Sequence, residues 1–121
     1  MEINNKMLLW LDDMRPAPNG YTRARTAKEA INILYNNDVT FASLDHDLAP
    51  DQYNVFTRFD DDSDYGEDTG MAVLKWMKNN KWPKDGVEIH SANIPKRLEM
   101  VNFCKKYLPD DKVFVKIFTR A

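Results

Sequence analysis

The sequence predicts an α/β domain built on a mainly parallel five-stranded sheet, and three observations lead to it. Apolar runs of strand length recur along the chain, helical spacing separates the later ones, and three of the runs stop abruptly at polar or acidic clusters. At 121 residues the chain has the size of one domain, so residues 1–121 are expected to share a single core.

The elements follow in order. Met7-Leu8-Leu9-Trp10-Leu11 is continuously apolar and stops at Asp12-Asp13, as a central strand covered on both faces does when it empties into a loop. Met14 to Gly20 holds two prolines and an Asn-Gly pair, which exclude a long helix and predict a structured turn. Tyr21 to Arg25 reads as a short edge strand. Thr26-Ala27-Lys28-Glu29 has capping-box spacing and opens a helix with Ala30, Ile31, Leu34 and Tyr35 on one face, closed by Asn36-Asn37. Val39 to Leu44 is the next strand, ending at Asp45-His46-Asp47.

Leu48 to Asp68, with Pro50, Gly66 and Asp60-Asp61-Asp62, keeps neither period. It predicts a long active-site loop over 49–68, with a short ribbon through Val55 to Phe59. The acids from Asp60 to Asp64 read as a solvated loop face, since they lack the glycine and terminal Glu of a calcium-binding EF-hand loop. Thr69-Gly70 precedes a helix carrying Val73, Leu74, Trp76 and Met77 that ends at Asn79-Asn80. Val87 to Ile89 is a short strand ending at His90-Ser91-Ala92-Asn93. Pro95 stands near the start of a third helix, with Leu98, Val101, Phe103, Cys104 and Leu108 predicted for its buried face. Val113 to Phe118 closes the sheet. Strands alternating with helices imply right-handed crossovers with helices on two faces, a three-layer arrangement, and ligands at the carboxyl ends of the strands.

Composition narrows the partners. A formal net charge of −2 with 30% charged residues describes an ordinary soluble surface without the basic excess of a nucleic-acid-coating protein, so any nucleic-acid contact is expected to be local. The single Cys104 cannot form an internal disulfide and reads as a packed thiol in a reducing compartment. The start, Met1 to Lys6, does not look like a signal peptide and no run reaches membrane-span length, so a cytoplasmic location and no membrane partner are expected. Oligomeric state is not legible.

The strand ends carry the chemistry. Asp12-Asp13 suits a hard divalent cation such as Mg or Mn, with Asp45 as a third oxygen donor, although Asp is also common in solvated turns. Arg15 can fork onto a phosphate or form a surface ion pair. The chain has two histidines, His46 and His90, and each closes a strand. Two facing imidazoles can divide proton duties, with Asp45 and Asp47 beside them, or both can bind a transition metal together with Asp12 or Asp45. Ser91 and Asn93 stand at a helix start, where capping and phosphate binding are compatible, and Thr69 repeats that arrangement. Lys116 reads as an exposed alternate residue of the last strand.

Leu11-Asp12-Asp13-Met14-Arg15-Pro16, Ser43-Leu44-Asp45-His46-Asp47-Leu48, Thr69-Gly70 and Ile89-His90-Ser91-Ala92-Asn93 together resemble the motifs of the cyclic-phosphate-processing receiver-like domain family of bacteria and phages. The resemblance spans nearly the whole chain and implies a receiver-like (flavodoxin-like) fold of strand order 2-1-3-4-5, its first helix reduced to the turn at Met14 to Gly20. It matches Asp12 and Asp13 to the receiver acidic pair, Asp45 to the phosphoacceptor, Ser91 to the small hydroxyl residue, and Lys116 to the lysine after the fifth strand. His46, Asp47 and His90 have no counterpart in a phosphoaccepting receiver and shift the expectation toward hydrolysis. The implied function is a phosphoesterase acting on a cyclic nucleotide or a 2′,3′-cyclic phosphate end of RNA, with phage–host conflict as one setting. The competing expectations are a non-catalytic cyclic-nucleotide sponge and a divergent receiver phosphorylated on Asp45.

Overall fold

In a computed structural model of the chain, the structure describes residues 6–47 and 69–117. Five parallel strands, β1 (Lys6–Leu11), β2 (Tyr21–Ala24), β3 (Asp38–Leu44), β4 (Val87–Ile89) and β5 (Val113–Val115), form one sheet in the order β2-β1-β3-β4-β5. Three helices intervene: α1 (Ala27–Asn36), α2 (Gly70–Asn79) and α3 (Ile94–Tyr107). This is the receiver-like order. The segment between β1 and β2 carries no helix, consistent with Pro16 and Pro18 inside it.

The order also decides where the helices lie. The crossovers β2 to β3, β3 to β4 and β4 to β5 all step the same way across the sheet, so right-handed connections put α1, α2 and α3 on one face, where α1 packs on α2 and α2 on α3. Among the described residues the second face has no helix, because the one crossover that runs the other way is the proline turn. None of these helices is long and apolar enough to cross a membrane.

The core lies between the sheet and its helical layer. Leu9, Leu11, Ala42, Leu44, Val87 and Ile89 meet Ala27, Ala30, Val73, Leu74, Met77, Met100 and Cys104, all without exposed surface. Each large apolar side chain buried this way contributes about 1.5–3 kcal/mol. Cys104 is the packed thiol expected, and burial pushes it up to about 12. The alternate residues Trp10, Ser43 and Glu88 are in register across β1, β3 and β4, on the face away from the core.

Local chemistry accounts for most helix ends. The Thr26 hydroxyl accepts from Glu29 N at 3.0 Å, while the Glu29 carboxylate reaches back to Arg25 N at 2.7 Å, one residue earlier than in a capping box. Two predicted faces are off. Tyr35 is 77% exposed and Leu98 is 55% exposed; the buried seam of α3 is Met100 and Cys104, four residues apart. β5 ends at Val115. Phe118, the 49–68 loop, its Val55 to Phe59 ribbon and the Asp60 to Asp64 acids lie outside the described residues.

Candidate functional site

The sheet ladder continues one residue past three strands. Asp12 N donates to Ala24 O, Asp45 N to Leu11 O and His90 N to Leu44 O, so Asp12, Asp45 and His90 stand side by side at the carboxyl edge. The backbone alone brings together residues up to 78 positions apart.

Asp12 is fully buried and completely bonded. Its Oδ1 accepts from Met14 N at 2.8 Å and Arg15 N at 2.9 Å, which folds the turn back on the carboxylate. Its Oδ2 accepts from His90 Nε2 at 3.0 Å and from Arg15 Nη1 at 3.1 Å. Burial alone would raise this carboxyl, but the bonds from His90, Arg15 and Met14 outweigh it and hold Asp12 well below the usual range. Asp45, also buried, goes the other way: burial and then the charge of Asp12 raise it, against the weaker pull of Arg15, whose Nη1 lies 3.7 Å from Oδ2.

His90 has no exposed surface. Nδ1 meets Ser43 Oγ at 2.7 Å, Nε2 faces Asp12, and the ring stacks on Trp10 with centroids 4.0 Å apart and planes 8° from parallel. Trp10 Nε1 donates to Arg15 O at 3.1 Å. Trp10, His90, Asp12 and Arg15 therefore close a ring of contacts. Of the two imidazoles expected to share proton duties, His90 sits within the ladder beside Asp12, and both its nitrogens are engaged there.

His46 forms a separate unit at the rim. Its Nδ1 donates to Asp47 Oδ1 at 2.7 Å, and its backbone N donates to Asp45 Oδ1 at 2.8 Å. Asn93 Nδ2 donates to Asp47 Oδ2 at 3.1 Å, while Asn93 Oδ1 caps α3 by accepting from Lys96 N at 3.2 Å. Asn93 thus touches the site through Asp47. The His46 bond, opposed by burial and reinforced by Asn93, holds the Asp47 carboxyl below its ordinary value.

The remaining predicted residues lie around these two units. Ser91 is buried, and its Oγ accepts from Asn93 N at 3.1 Å. Thr69 caps α2 by position without a side-chain bond, and Gly70 N donates to His46 O at 3.2 Å. A Cβ on Gly70 would lie 2.0 Å from Asp45 O and 2.8 Å from Met100 Cε, so only glycine lets the helix start approach the strand end this closely. Lys116 is exposed, as read from the sequence.

Asp12, Asp13 and Asp45 offer carboxylate oxygens within 4.8 Å of one another. An all-oxygen donor set fits a hard divalent cation, and such an ion would relieve the charge that raises Asp45. Arg15, bridging Asp12 and Asp45, is the competing positive charge. Trp10, Ser43 and Glu88 were not singled out for the site from the sequence. Ser43 and Glu88 carried a signal, as polar residues inside short apolar strands, but their partners depend on register.

Fold and site together define a receiver-like α/β domain whose strand-end carboxylates are joined by two histidines. The family model of the cyclic-phosphate processing receiver domain matches residues 7–106, and the chain belongs to that family. No curated protein and no solved structure matches it.

Proposed function

We propose that the chain hydrolyses a cyclic phosphodiester, in a cyclic nucleotide or at a 2′,3′-cyclic phosphate end of RNA. The observation that carries this reading is the Asn93–Asp47–His46 chain at the rim of the Arg15-bridged carboxylates. Asp47 accepts the hydrogen bond of Nδ1–H and orients the ring, which leaves Nε2, without a hydrogen bond among the described residues, for proton transfer. His46 Nε2 takes a proton from water as the new P–O bond forms. The ring P–O bond breaks, and the departing ribose oxygen is protonated by Asp45, whose raised carboxyl retains a proton more readily than an ordinary one. Arg15, one third exposed, and Ser91 with the helix-start amides receive the phosphate charge.

With both nitrogens of His90 engaged, the proton transfers fall to His46 and Asp45, and His90 holds Asp12. A divalent cation held by Asp12, Asp13 and Asp45 would supply charge neutralisation at the phosphate oxygens. Metal dependence separates the two duties open to Asp45, because a coordinated carboxylate cannot also donate a proton.

The test is incubation with cyclic mono-, di- and oligonucleotides and cyclic-phosphate-ended RNA, with and without Mg or Mn, read by mass spectrometry. A product heavier than its substrate by one water is expected. Unchanged ligand recovered after denaturation would mark sequestration instead, and label from a small phosphodonor that is lost in Asp45→Asn would mark a phosphoaccepting receiver.

A further inference from the structure

We propose that Arg23 and Arg25 form a second anion subsite beside the strand-end carboxylates, so that the substrate carries a further phosphate next to the cyclic one. This deepens the hydrolytic reading above and rests on its binding half, the seating of a cyclic phosphate at Arg15.

Three guanidinium groups gather on two consecutive residues. Arg15 Nη1 donates to the Asp12 carboxylate at 3.1 Å, Arg23 Nε to the Asp12 carbonyl at 3.0 Å, and Arg25 Nη2 to the Asp13 carbonyl at 3.4 Å. Arg23 and Arg25 are alternate residues at the carboxyl end of β2, the first half-buried and the second exposed. Arg23 is in register with Trp10, on the face without a helix.

Arg15 pairs with Asp12 and lies 3.7 Å from Asp45. The other two differ. Among the described residues neither guanidinium group has a carboxylate partner: Asp13 meets Arg25 through its carbonyl oxygen, and the Glu29 carboxylate takes the backbone N of Arg25. Fixing a carbonyl needs a donor but no charge, and a glutamine would serve. Two cations anchored beside an anion site, each through one N–H with others left over, suit a planar fork onto phosphate oxygens. A cyclic mononucleotide has a single phosphate, which Arg15 meets. A cyclic dinucleotide, or an RNA strand with a cyclic-phosphate end, has another. The opposite flank is thinner: Arg97 donates to Ser91 O at 3.1 Å, and Lys96 beside it pairs with Glu99.

The experiment measures equilibrium binding to the full chain with two pairs of probes. One pair is adenosine 2′,3′-cyclic phosphate and the RNA dinucleotide ending in that group; the other is 3′,5′-cyclic AMP and cyclic di-AMP. His46→Ala replaces the wild type for any probe that is consumed. In at least one pair the member with the second phosphate binds about 10- to 100-fold tighter, the weight of charge-assisted hydrogen bonds. Added salt erodes that preference, whereas a gain from the second base alone survives it. Preference in the linear pair assigns the second phosphate to an RNA end, and preference in the cyclic pair to a cyclic dinucleotide. Arg23→Gln/Arg25→Gln brings the two members of the preferred pair level, and Arg23→Lys/Arg25→Lys, which keeps the charge without the fork, retains part of the difference. A role confined to fixing the carbonyls weakens both members alike. Equal binding within both pairs, a preference untouched by salt, or no binding of any probe overturns the proposal even if no variant folds. So does a preference that survives Arg23→Gln/Arg25→Gln and falls in Arg97→Gln. Preferential binding without hydrolysis sinks the hydrolytic reading alone, and hydrolysis without preference sinks the subsite alone.

Discussion

The indole of Trp10 lies flat on the imidazole of His90, 4.0 Å away and 8° from parallel, and its Nε1 holds the Arg15 carbonyl on the other side. One side chain therefore braces both residues whose side chains meet Asp12 Oδ2. Trp10→Phe keeps an aromatic face but removes the donor to Arg15, and is expected to cost about 1 kcal/mol, the scale of one hydrogen bond. Trp10→Ala also removes the stack and buried volume and should cost about 3–5 kcal/mol. Urea unfolding of the two variants checks the ordering.

Asp12 and Asp45 are neighbours whose titrations contribute to stability with opposite signs. The folded value of Asp12 is depressed, so its contribution is present above the ordinary carboxylate pKa and lost as pH falls through the folded value. That of Asp45 is raised, so its contribution is present below the ordinary carboxylate pKa and lost as pH rises through the folded value. In metal-free buffer at neutral pH, Asp12→Asn should lower the melting temperature and Asp45→Asn should raise it. The difference between the two should shrink as pH falls through the carboxylate range. Thermal unfolding over a pH series reads both.

Gly70→Ala sets helix propensity against packing. Alanine is the better helix former by about 1 kcal/mol in an exposed interior position. At Gly70 the added Cβ meets the backbone oxygen of Asp45 at 2.0 Å, and a backbone atom cannot rotate away. A net loss of about 1–3 kcal/mol is expected from overpacking, together with reduced turnover because the strand end bearing Asp45 and His46 must shift. Chemical denaturation and a kcat measurement on the same variant test this; a stabilised variant would contradict it.

The parts legible in the sequence were those written locally. Apolar runs that stop at Asp12, Asp45 and His90 announce strands and their active ends, and Pro16 and Pro18 announce the missing first helix. The depth of His90 was not legible, because it depends on Ser43 pairing with both Trp10 and Glu88 across three strands, a register that no local pattern contains. Tyr35 and Leu98 were misplaced for a related reason: an apolar residue beside a helical stripe can point to either side until the partner helix is known. Among the described residues the three helices share one face because of the direction of the crossovers, which depends on strand order.

The central claim is that His46 moves protons at a bound cyclic phosphate while His90 holds Asp12 in place. It is tested most directly by comparing wild type and His46→Ala on whichever cyclic phosphate the wild type opens, with binding and turnover measured in parallel in ¹⁸O-labelled water. The account predicts one ¹⁸O in the wild-type product, and for His46→Ala retained binding with kcat reduced roughly 10²- to 10⁴-fold. Turnover by His46→Ala at the wild-type rate would contradict it.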